Sequence, residues 1–172
     1  MKTRVFNPSE LSGTVGVVVD LSGSMSPTDY EEVENICERL GEENIGDRVA
    51  GGDTHLVYPY KAELGNVKEL FQAVREVQQT VGGGSEMGVI AWEAYAKQGM
   101  PDNLVLFTDG ETPWPTAEKQ VKVDGVFHSE LPPGTKVVLI GQDYTDKILR
   151  NMPSYVAEVT YMGNNLDKGM AL

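Results

Sequence analysis

Apolar residues recur along this chain in two rhythms, and together the rhythms predict strands alternating with helices. Thr14 to Asp20 (TVGVVVD), Leu104 to Thr108 (LVLFT) and Lys136 to Ile140 (KVVLI) are β-branched or apolar almost without interruption. Runs of that length without polar alternation suit central parallel strands covered on both faces. Elsewhere the period lengthens to that of a helix. Val33, Ile36, Cys37 and Leu40 share one helical face, and Val67, Leu70, Phe71, Val74, Val77 and Val81 share another.

Start and stop signals divide the chain further. Thr28 and Glu31, following Pro27, read as a capping box that opens a helix running to about Leu40, with Gly41 as its stop. Asn66 and Glu69 repeat the pattern ahead of a second helix. A third is expected from Ser85 to about Lys97, with Met87, Ile90, Ala91, Ala94 and Tyr95 inward, and Tyr144 to Asn151 forms a short fourth. Asp47 to Tyr60 reads as one interrupted strand or two short ones in a hairpin bending at Gly51, Gly52 and Asp53. Tyr155 to Met162 is expected to close the sheet as an edge strand. The fold class implied is α/β, with an open, mostly parallel sheet carrying an antiparallel edge strand or hairpin.

Length and charge narrow the function. A chain of 172 residues, 40% hydrophobic, is expected to form a single domain over 1–172. With 14 Lys and Arg against 26 Asp and Glu, the net charge of -12 opposes a nucleic-acid backbone or an anionic membrane. Neither is expected as a partner. The amino terminus, MKTRVFNPSELSG, has no long apolar stretch after its basic residues, and no later run is long enough to span a bilayer. A cytoplasmic location is the expectation. The single cysteine, Cys37, cannot form an internal disulfide and sits on an apolar helical face, which suits a core role.

The chemistry gathers where the apolar runs end. Asp20, Ser22 and Ser24 place one carboxylate and two hydroxyls at alternate positions just past the first long strand. An all-oxygen set with little charge suits a hard divalent cation such as Mg²⁺, which keeps some of its water. Two distant segments offer similar groups: VGGGSEMG supplies Ser85 after three glycines, and LVLFTDGE ends a strand in Asp109. In an open parallel sheet, loops at the carboxyl ends of neighbouring strands meet at one crevice, so all three can serve one ion.

In this order, DxSxS (Asp20, Ser22, Ser24), GGGSE (Ser85) and TDG (Asp109) resemble the von Willebrand factor A domains and their metal-ion-dependent adhesion site. The resemblance covers most of the chain. It implies a Rossmann-like, three-layer, doubly wound sheet flanked by helices, with Mg²⁺ as the metal and Mn²⁺ or Ca²⁺ as alternatives. Ser22, Ser24 and Ser85 would ligate the ion directly or through water, while Asp20 and Asp109 would hold the ion or its waters. Ser85 stands where the family usually has Thr, which keeps the hydroxyl and loses a methyl. The implied function is protein binding: an Asp or Glu carboxylate of a partner, alone or within a larger assembly, completes the metal shell.

An enzyme is the alternative, namely a Mg²⁺-dependent phosphatase or nucleotide-binding protein on a related α/β fold. Three features weigh against it. The second acid that an aspartyl phosphatase carries two residues on is Ser22 here, the GGSEM run lacks the following glycine of a nucleophile elbow, and no Lys follows the glycine loop as in a P-loop. His55 and His128 lie far from the motifs in sequence. Trp114, in the PWP run after Asp109, is expected either to plug its loop against the domain or to anchor a partner.

Overall fold

The computed structural model describes residues 2–7, 11, 15–20, 24–42, 48–52, 57–60, 102–111, 114–123, 125–141, 146–156 and 158–161. In chain order they form β1 (Lys2–Val5), β2 (Val15–Asp20), α1 (Pro27–Glu42), β3 (Arg48–Gly52), β4 (Val57–Tyr60) and β5 (Asn103–Thr108). There follow β6 (Val121–Val123), β7 (Val126–His128), β8 (Lys136–Leu139), α2 (Asp146–Arg150) and β9 (Glu158–Tyr161). The helices expected over 66–81 and 85–97 lie outside the described residues.

Seven of these strands form one sheet in the order β1-β9-β8-β5-β2-β3-β4. Every neighbouring pair is parallel except β3 and β4, whose antiparallel register runs from Val49 opposite Tyr60 to Gly52 opposite Val57. The α/β class and its mostly parallel sheet therefore hold. Of the two readings of Asp47 to Tyr60, two short paired strands is the observed one, but Gly51 and Gly52 lie inside β3, opposite Tyr58 and Val57, and not at the bend.

The continuous apolar runs become strands buried on both faces. Val17, Val18 and Val19 are at most 2% exposed, and Leu104 to Thr108 and Val137 to Ile140 are buried throughout. Register assigns the faces. Val18 lies opposite Leu106, Leu106 opposite Val137, and Val137 opposite Val159, so these four make a row across one face. Leu104, Leu139, Trp114, Val121, Leu131 and Val156 join that row in one apolar cluster, and Ile148 and Leu149 of α2 pack against it with Met152 and Tyr155. On the alternate face, Phe107 meets the ring of Phe6 edge-on at 6.0 Å. The buried stripe of α1, Tyr30, Val33 and Ile36, is not part of the first cluster.

The cap of α1, its end and the place of β9 differ from the sequence expectation. The box that opens α1 pairs Ser26 with Asp29: the Ser26 amide donates to Asp29 Oδ2 (2.8 Å) and the Asp29 amide to Ser26 Oγ (3.2 Å). Pro27 explains the shift from Thr28 and Glu31. Its fixed φ and missing N–H suit the first helical position, and it holds the preceding residue extended, as a cap requires. The helix also runs through Gly41 to Glu42, since a glycine permits a stop without imposing one. Finally, β9 is not an edge strand. Lys2–Val5 pairs with it in parallel and takes the edge instead.

A small second sheet lies outside the sequence expectation. β6 and β7 pair antiparallel around Gly125, whose φ of 80° is easy for glycine and strained for other residues. All of β7 is exposed, with Val126 at 57% and Phe127 at 62%. His128, at the end of this strand, is exposed too. Among the described residues, no helix is long and apolar enough to cross a membrane.

Candidate functional site

The sheet order reverses at β2. The chain leaves β2 through α1 to β3 on one side, while β5 flanks β2 on the other, so the β2–β5 boundary is the topological switch point. Ligands of open α/β sheets bind outside the carboxyl ends of the strands at such a point, because the connections diverge there and leave a crevice. Asp20 is the last residue of β2, and Asp109 follows directly on the last residue of β5. Tertiary structure thus brings two acids 89 positions apart in sequence to the ends of adjacent strands.

Thr108, absent from the expected metal set, ties the Asp20 carboxylate to the turn that carries Asp109. Val19 lies opposite Phe107, so Thr108 falls beside Asp20, and the Thr108 hydroxyl donates to Asp20 Oδ2 at 2.7 Å. Both side chains are fully buried. The same hydroxyl accepts the Gly110 amide at 3.0 Å, which fixes the turn that carries Asp109. The signal was present in the TDG run: a hydroxyl at the end of one parallel strand can reach an acid at the end of the next.

Asp109 is half satisfied. Its Oδ1 accepts the Glu111 amide at 3.0 Å in a tight Asx turn. Its Oδ2 is buried and, among the described residues, has no hydrogen-bond partner. A buried carboxylate oxygen without a donor is costly, and a cation or a cation-bound water would offset that cost.

Gly110 makes the turn possible. Its φ is 78°, and a Cβ there would lie 2.6 Å from Ile148 Cγ2 and 3.1 Å from Leu139 Cδ2. The loop therefore rests directly on α2 and the end of β8.

Of the five predicted metal residues, Asp20 and Asp109 stand together at the switch point. Ser24 is exposed in the turn before α1. Ser22 and Ser85 lie outside the described residues. The same end of the sheet also receives the first turns of α1. There Glu32 Oε2 accepts the Gly141 amide at 3.4 Å, and a Cβ at Gly141, whose φ is 103°, would come within 3.2 Å of Asp29 Oδ1. Asp29 is already engaged in capping its own helix. Among the described residues no three His, Cys, Asp or Glu side chains converge to hold an ion. A set built on hydroxyls and two acids does not require such a cluster.

Trp114 resolves in favour of packing. It is 7% exposed within the apolar cluster, and the Tyr155 hydroxyl donates to the Pro115 carbonyl at 2.7 Å, pinning the loop that follows Asp109. Burial pushes the Tyr155 phenol up to about 12, the Glu130 carboxylate adds to the rise, and a hydrogen bond involving the Leu131 backbone pulls the other way. A cleft of about 370 Å³ lies against the first residues of β8 and β9, Lys136 and Glu158, and touches neither Asp20 nor Asp109. An ion site needs converging oxygens and not a large cavity, so the cleft does not compete with the switch point.

No family model and no curated protein matches the chain.

Proposed function

We propose that the chain is a metal-dependent protein-binding module of the von Willebrand factor A type, with a three-layer, doubly wound sheet and one divalent-cation site at the β2–β5 switch point. The observation that carries the reading is the buried, unpartnered Oδ2 of Asp109, held at a strand end beside that of Asp20. The donor chemistry agrees. Carboxylate and hydroxyl oxygens are hard ligands of the kind Mg²⁺ prefers, with Mn²⁺ and Ca²⁺ as substitutes.

Asp20 and Asp109, with Ser22, Ser24 and Ser85, would hold the ion. When bound, it supplies a Lewis-acidic position that an Asp or Glu carboxylate of another protein completes. The chain's own part is to fix its oxygens in advance, and Thr108, Gly110 and the Glu111 amide do so around two of them. With a net charge of -12, the surface as a whole repels an acidic partner, so attraction has to be local to this site.

The test is thermal unfolding with Mg²⁺, Mn²⁺, Ca²⁺ or chelator, followed by metal-dependent capture of partners from the source cell using wild type and Asp109→Ala. Stabilisation by metal, with capture lost in chelator and in the variant, supports the module. Metal-dependent phosphatase turnover lost in Asp20→Ala would replace it with the enzyme.

A further inference from the structure

We propose that Thr108 is a positioning residue for this site: its hydroxyl ties the Asp20 carboxylate to the Asp109 turn, so that the two acids are presented to a cation as one rigid unit. The inference rests on the metal-binding reading and extends it to a residue that touches no ion. The direction of the hydrogen bonds is fixed by chemistry. A backbone amide can only donate, so Gly110 N–H donates to Thr108 Oγ1, and the single hydroxyl proton remains for Asp20 Oδ2.

Burial shields the tether from bulk water. Thr108 and Asp20 are both 0% exposed, so water cannot take over either bond when the hydroxyl is removed. Outer-shell partners that orient a ligand typically matter 10–100-fold in metal affinity. Thr is also better suited than Ser: its branched Cβ restricts χ1 in a strand, so the hydroxyl spends less entropy in reaching Asp20.

The experiment compares wild type, T108V and T108S in Mg²⁺ titration calorimetry and Mn²⁺ paramagnetic resonance, well below each protein's unfolding midpoint. T108V conserves shape and loses the hydroxyl, and is expected to weaken Mg²⁺ binding by about 10-fold or more. T108S keeps the hydroxyl and is expected to stay within about threefold of wild type, a rescue that a purely packing role would not give. A folded T108V with wild-type affinity overturns the tether and leaves the metal site standing. If T108V does not fold, T108S decides alone: a folded serine variant weakened about 10-fold or more also overturns it. Wild type that binds neither Mg²⁺ nor Mn²⁺ removes the metal reading itself, and the tether with it.

Discussion

Gly110 and Ile148 approach so closely that a single methyl on the glycine would sit 2.6 Å from Ile148 Cγ2. The turn after β5 is therefore held from two sides, by the Thr108 hydroxyl and by α2. Gly110→Ala adds both this clash and the strain of a φ of 78°. The expected loss is about 2–4 kcal/mol in urea unfolding, combining backbone strain with overpacking. Adding Ile148→Ala is expected to recover part of that loss, so the double variant should be less destabilised than the sum of the singles.

Asp109→Asn separates stability from metal binding. The Asn side chain keeps an oxygen for the Glu111 amide and removes the charge from the buried, unpartnered position. Stability without metal is expected to fall by no more than about 0.5 kcal/mol. The Mg²⁺-dependent gain, about 2.7 kcal/mol for wild type at a hundredfold excess over Kd, is expected to disappear. A variant that keeps the full gain in calorimetry would place the ion elsewhere.

Tyr155 predicts an alkaline limit. Its pKa is raised to about 12 from 10.0, so between those pH values the unfolded chain gives up a proton that the folded one retains. Stability is therefore unaffected below pH 10 and declines up to about 12. Because the phenol is only half buried, the full decline is about 1–2 kcal/mol after screening. Tyr155→Phe removes the hydrogen bond to Pro115, at a cost of about 1 kcal/mol near neutrality, and is expected to flatten this part of the profile.

Two phenylalanines give a test of the packing. Phe107 is 0% exposed in the central strand β5, and Phe107→Ala is expected to cost about 3–5 kcal/mol. Phe127 is 62% exposed on β7, with the Lys122 ammonium 5.5 Å from its ring centre. Phe127→Ala is expected to cost about 1 kcal/mol or less, the size of an exposed cation–π contact. Equal losses in denaturant melts would contradict the assigned faces.

Much of the fold was legible where one local rule acted without competition. The VVV of β2 and the LVLF of β5 read as strands buried on both faces because nothing polar interrupts them. Two other local signals match observed features. Val123, Asp124, Gly125 and Val126 carry the Asp-Gly turn signature that marks the β6–β7 hairpin. Ser26 and Asp29 frame Pro27, and reading the proline as the first helical residue would have moved the box to its observed place.

The amino-acid sequence by itself determined the alternation of strands and helices, the acidic balance, and the presence of Asp20, Thr108 and Asp109 at the ends of apolar runs, because periodicity, charge and residue type are local properties. Only the tertiary structure decided that β2 and β5 are neighbours, that β1 rather than β9 takes the sheet edge, and that Thr108 ties the Asp20 carboxylate to the turn carrying Asp109. Strand pairing is a long-range choice, settled by how all the apolar faces are covered at once. A hydroxyl becomes a tether only after that choice has set the acid beside it.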